Sequence, residues 1–160
     1  MLGKIKYFLI IAGLAAFFFA CVKKKTYSQS PEISFISFHP YGLTDTADMV
    51  IGFSDGDGDI GKEKEDKTYN LFTTFYYFDT VANKFTALYI PAALDTLRVP
   101  YTIRKPVDDY EGKSISGEVS IKMNGYRGSK TRKRIKYVIY MNDNAGHQSN
   151  ILVTPELQVP

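Results

Sequence analysis

Ile115-Ser116-Gly117-Glu118-Val119-Ser120-Ile121-Lys122-Met123 alternates with a period of two. Ile115, Gly117, Val119, Ile121 and Met123 fall on one side, and Ser116, Glu118, Ser120 and Lys122 on the other. Successive side chains of a strand point to opposite faces, so this pattern buries one face and wets the other. Met49, Ile51 and Phe53 repeat it, as do Ile135, Tyr137, Ile139 and Met141. Working outward, runs at 32–39, 47–54, 69–78, 84–90, 96–104, 114–123, 134–141 and 150–159 are separated by turn residues. No segment after Cys21 carries a capped helical period. The 12 Tyr and 11 Phe, with no Trp, add to the β preference. These runs predict an all-β fold, an immunoglobulin-like antiparallel β-sandwich of seven to eight strands over residues 31–160.

The run at 69–78 is aromatic on both faces, Phe75 and Tyr77 against Phe72, Tyr76 and Phe78. That suits a central strand with one face in the core and an aromatic patch outside, which makes Tyr76 and Phe78 candidate partner contacts.

The first 21 residues, MLGKIKYFLIIAGLAAFFFAC, read as an export signal. Lys4 and Lys6 form a basic start, an apolar run follows from Tyr7, and small Ala20 precedes the single cysteine. The run falls short of the roughly 18–20 residues a membrane-spanning helix needs. A cysteine at this position resembles the lipobox of bacterial lipoproteins. That implies a signal peptide over 1–20, an N-terminal lipid on Cys21 and a membrane attachment. Residues 21–30 then form the lipidated cysteine and a flexible polar tether. Loss of the leader takes the net charge from +3 to +1, too near neutral for a dedicated nucleic-acid binder. With Cys21 lipidated, no thiol remains for a disulfide or a nucleophile.

Phe53 to Gly61, FSDGDGDIG, alternates Asp55, Asp57 and Asp59 with Gly56 and Gly58. The three carboxylates share one face of an extended chain, and the glycines also let it curl round one point. Carboxylates that close repel one another unless a hard cation intervenes, and Ca²⁺ takes six to eight oxygen ligands. An EF-hand does not fit, because Ile60 stands where its glycine belongs. In a sandwich of this order, Asp143 and Asn144 of the late turn lie at the same end. Asp55, Asp57, Asp59, Asp143 and Asn144 are therefore the candidate Ca²⁺ ligands, with Glu63 and Asp66 as further donors. Against this stands an Asp-Gly turn that simply bonds its own backbone.

The opposite end carries KMNGYRGSKTRKRIK, a glycine-marked turn rich in positive charge. Arg127, Lys130, Arg132, Lys133 and Arg134 are candidate contacts for an acidic partner; the alternative is a solvated, internally balanced turn. An enzyme is not expected. His39 and His147 lack metal-spaced partners, and no nucleophile motif is present.

FSDGDGDIG after a hydrophobic strand and NDNAGHQSN before a final strand resemble small Ig-like lipoproteins of Bacteroidota. The resemblance implies a sandwich fold and an envelope location. In that phylum surface-exposed lipoproteins commonly carry acids just after the lipidated cysteine, whereas this chain has Val22-Lys23-Lys24-Lys25. The difference implies the periplasmic face of the outer membrane. The expected function is a non-catalytic accessory or scaffold subunit of an envelope protein complex for outer-membrane protein assembly, secretion or transport. The alternative is a surface module that binds carbohydrate or another ligand on its tyrosine-rich face.

Overall fold

A computed structural model describes residues 27–42, 44–105, 110 and 112–160. The expected leader, Cys21 and the tether up to residue 26 lie outside the described residues. The strands are β1 (Glu32–Pro40), β2 (Thr46–Asp55), β3 (Leu71–Asp79), β4 (Lys84–Ala87), β5 (Tyr89–Ile90), β6 (Asp95–Thr96), β7 (Arg98–Tyr101), β8 (Ile115–Asn124), β9 (Arg134–Met141), β10 (Leu152–Val153) and β11 (Leu157–Gln158). One sheet runs β1-β2-β8. The other runs β10-β9-β3-β4, with β7 also paired to β3 and β11 to β9. The chain is an all-β sandwich of antiparallel sheets.

The alternating stretch behaves as its period requires. β8 pairs with β2 along its full length, from Thr46 opposite Asn124 to Asp55 opposite Ile115. Met49 then sits opposite Ile121 and Ala47 opposite Met123, all facing inward. From the other sheet Leu71, Phe75, Ile135, Tyr137, Ile139 and Met141 meet them in one core. Each fully buried aliphatic or Met side chain contributes about 1.5–3 kcal/mol relative to exposure. Among the described residues the core runs from Ile33 to Val159.

Pairing between β1 and β2 slips between Phe35 and Ser37. The bulge leaves Ile36 exposed and returns Phe38 to the core, where its ring meets Tyr126 edge-on at 5.4 Å. The outer edge of β1 is closed by Asn150. Its side-chain amide accepts from the Ile33 N–H at 2.7 Å and donates to the Ile33 carbonyl at 3.0 Å.

Three of the expected strands are interrupted. The runs at 84–90 and 96–104 break at Leu88 and Leu97, where the Leu88 N–H donates to the Phe75 carbonyl at 3.1 Å and the Leu97 carbonyl accepts the Phe75 N–H at 3.3 Å. Beyond them the chain turns through a short 3₁₀ segment, Pro91–Ala93, closed by Leu94 at φ 52°. The β5–β6 hairpin therefore stands off the edge of β3. The run at 150–159 divides at Thr154-Pro155. There the Thr154 hydroxyl accepts the Tyr137 N–H at 3.0 Å, and Pro155 has no N–H to continue the ladder.

Candidate metal centre

β2 ends at Asp55 and β9 ends at Met141, so the loops that follow them meet at one end of the sandwich. Asp55 is fully buried, and its Oδ2 accepts the N–H groups of Gly58 at 2.8 Å and Asp59 at 3.2 Å. The carboxylate thus folds its own loop into a tight turn. Gly58 adopts φ +72° and passes so close to the Tyr110 carbonyl that a Cβ would lie 2.0 Å from it. Gly56 is required for another reason: a Cβ there would lie 2.6 Å from the Ser28 carbonyl oxygen. The described end of the tether therefore rests on the acidic loop.

The second loop is stitched to the first. Asp59 Oδ2 accepts the Ala145 N–H at 2.8 Å, and Asn144 Nδ2 donates to the Gly61 carbonyl at 2.8 Å. Asp143 is buried and held by His147, through the backbone N–H at 2.7 Å and ring Nδ1 at 2.8 Å.

One oxygen from each of Asp55, Asp59 and Asp143 lies within 4.8 Å of the others. Asp55 Oδ1, Asp57 Oδ1 and Asp59 Oδ1 are buried without any hydrogen-bond partner. Burial, reinforced by the Asp57 and Asp59 carboxylates, pushes Asp55 up to about 6. Asp59 is raised too, by burial first and by Asp143 and Asp57, against the stabilising Ala145 N–H. The Asp143 carboxylate raises His147. Crowded carboxylates with orphaned buried oxygens fit a hard, oxygen-preferring cation of flexible geometry, which describes Ca²⁺ better than Mg²⁺ or Zn²⁺.

Asp55 and Asp59 come together as their spacing suggested and Asp143 joins them as strand order suggested, while Asp57 lies close enough to raise both Asp55 and Asp59 without entering the 4.8 Å set. Asn144 is placed differently: its amide nitrogen is a strut between the loops. Glu63 and Asp66 do not join the cluster. Glu63 pairs with Lys105 at 3.1 Å, while Asp66 accepts from Thr68 and sits near Lys62. His147, without a metal-spaced partner in the sequence, serves instead to clasp Asp143. The Asp143-x-x-x-His147 spacing within a glycine-containing turn is the signal that marks it.

At the other end, Arg127 corrects the expectation of an exposed contact. It is buried, ion-paired to Asp45 at 3.3 Å and bonded to the Pro160 carbonyl. Arg132 lies 4.6 Å from the Tyr77 ring centroid and Arg134 3.6 Å from that of Phe78. Arg134 also grips Glu156 with two bonds, at 2.6 and 2.9 Å. Lys130 and Lys133 are exposed. Tyr76 and Phe78 are half-buried on the outer sheet face, where Phe72 stacks on Tyr140 at 5.1 Å and Phe78 meets Phe85 edge-on at 5.4 Å. Comparison with protein-family models, curated proteins and solved structures yields no match to this chain, so its functional reading rests on this geometry.

Proposed function

We propose that the chain is a non-catalytic lipoprotein whose Ig-like sandwich carries a structural Ca²⁺ at the end nearest its tether. The observation that carries the ion is the set of buried, unpartnered Oδ1 atoms of Asp55, Asp57 and Asp59. Asp143, oriented by His147, supplies the fourth carboxylate. When bound, the ion would neutralise these groups and lock the loop after β2 to the loop after β9. The strand order β1-β2-β8 against β10-β9-β3 supports the immunoglobulin-like reading.

The same proposal makes Cys21 the lipid anchor on the periplasmic face of the outer membrane and the domain an accessory subunit of an envelope complex. The aromatic outer face around Phe72, Tyr76 and Phe78, bordered by Lys130 and Lys133, supports a docking role.

Thermal unfolding in millimolar Ca²⁺ and in chelator tests the ion. An ion present at a hundred times its Kd adds about 2.7 kcal/mol, a midpoint shift on the order of 10 °C. No upward shift sinks the metal reading. Mild-detergent isolation of the native protein with mass spectrometry of its companions tests the complex. Elution alone as a monomer removes the accessory role.

A further inference from the structure

β8 is the one long strand edge left uncovered among the described residues. It ends its sheet, pairs only with β2, and runs for 10 residues. Ser116, Gly117 and Glu118 are exposed in succession; the Tyr27 hydroxyl reaches Ser116 Oγ at 3.1 Å and the Phe53 ring lies beside Gly117, and no strand pairs with their outer edge among the described residues. The other edges are short or closed. Asn150 and the bulge occupy β1, β4 has four residues, and β10 has two. Natural sheets rarely leave a long edge open, because its unpaired N–H and C=O groups recruit another strand.

The charges on this edge say which strand fits. Glu118 and Lys122 are exposed on the same outer face, and neither has an ion-pair partner among the described residues. They cannot reach each other within one strand, since four residues span about 13 Å. Lay a second β8 antiparallel with Ser120 opposite Ser120, and Glu118 of each copy faces Lys122 of the other. The same register sets Val119 against Ile121 and Ser116 against Asn124. It also brings the acidic end of each domain beside the basic turn of its partner, because β8 runs between those ends. The self-complementarity is that of a two-fold axis, in which one patch meets itself.

We infer that the partner of the β8 edge is a second copy of this chain, joined by antiparallel β8–β8 pairing centred on Ser120 into a continuous six-stranded sheet. The acidic ends of the two copies, against which Tyr27 and Ser28 rest, then lie at opposite ends of that sheet.

Sedimentation equilibrium on soluble chain 22–160 tests this. The expected result is a reversible dimer for the native sequence. Glu118→Lys alone, or Lys122→Glu alone, turns two attractions into two repulsions and weakens the dimer roughly tenfold. The double variant Glu118→Lys/Lys122→Glu restores it. Both side chains are solvent-exposed, so circular dichroism and the thermal midpoint of each variant stay native-like. A native chain that stays monomeric at several hundred micromolar overturns the proposal. So does a dimer indifferent to the single reversals, or one the double variant fails to restore.

Discussion

The two ends of the sandwich solve opposite charge problems, and only one solution is complete. At the basic end each arginine has found a partner inside the chain. Arg127 has Asp45 and the terminal carbonyl, Arg132 has Tyr77, and Arg134 has Phe78 and Glu156. At the acidic end the carboxylates face one another, and three buried oxygens have no donor. Burying a charge is tolerable when it is paired and costly when it is not. The basic end thus pairs its arginines within the chain, while the acidic end leaves crowded carboxylates that the proposed cation would neutralise. A charge-rich stretch of sequence is thus a poor guide to a binding surface until its intramolecular partners are known.

The largest expected break in that contrast is at the acidic end. Asp55→Asn removes one of the repelling charges while keeping the side chain's size and its acceptor for the Gly58 N–H. The metal-free protein should unfold at a higher temperature than the native one. The Ca²⁺-induced rise, on the order of 10 °C in the native chain, should largely vanish. A variant that still gains the full rise places the ion elsewhere. The complementary break is Arg127→Ala, which leaves Asp45 and the terminal carbonyl without their cation. The loss in urea unfolding should be about 2 kcal/mol, below the 3–5 kcal/mol of a fully buried pair because Asp45 remains 39% exposed. That loss should be the same with and without Ca²⁺. An ion-dependent loss would mean that the two ends are coupled.

Why some of this was legible in sequence and some was not follows from range. The alternation in β2, β8 and β9 is a local signal, kept along the whole of β9 and in the second half of β8, where Ile121 and Met123 are buried between exposed neighbours. The acidic cluster was legible for the same reason, with three carboxylates in one glycine-spaced turn and Asp143 following from strand order. Runs 84–90, 96–104 and 150–159 carry apolar residues of the right kind. Their breaks depend on where Leu88, Leu97 and Pro155 fall relative to a neighbouring ladder, and a lone sequence does not specify that. Arg127 is the sharpest miss. Within KMNGYRGSK it is one cation among several, and only the return of the terminus to that turn and the placement of Asp45 bury it.

Proton titration separates the ends in a graded way. Asp55 rises to about 6 from the ordinary 3.8, so between those values the folded metal-free protein holds a proton that the unfolded chain releases. Stability from this group is complete below about pH 4 and is lost as pH rises through 6. Asp59, raised by burial, and His147, raised by Asp143, move in the same direction. Metal-free protein should therefore gain stability when taken from pH 7 to pH 5. The gap between Ca²⁺-loaded and metal-free midpoints should narrow over that interval, because protons displace the ion. At the basic end Glu156 is lowered by Arg134, so that pair loses its contribution only at more acidic pH, below the carboxylate range. Midpoints measured from pH 4 to pH 8 in chelator and in Ca²⁺ check both statements. A metal-free protein that grows steadily more stable towards pH 7 contradicts the first.

The smallest effect tests the claim that the basic turn is internally satisfied. Arg132 lies over the Tyr77 ring at 4.6 Å and is half-buried, whereas Lys130, two residues earlier, is exposed. A cation over an aromatic face near the surface contributes about 0.5–1 kcal/mol, partly from the guanidinium and partly from the aliphatic stem covering the ring. Arg132→Gln should therefore cost about 0.5 kcal/mol, and Lys130→Gln should fall within about 0.5 kcal/mol of no change. If the difference reflects stacking rather than net charge, it should persist in high salt, where a purely Coulombic contribution is screened within a few ångströms. Equal effects for the two substitutions, or a difference that salt abolishes, would make the turn a solvated charge run. The two ends would then differ in degree rather than in kind.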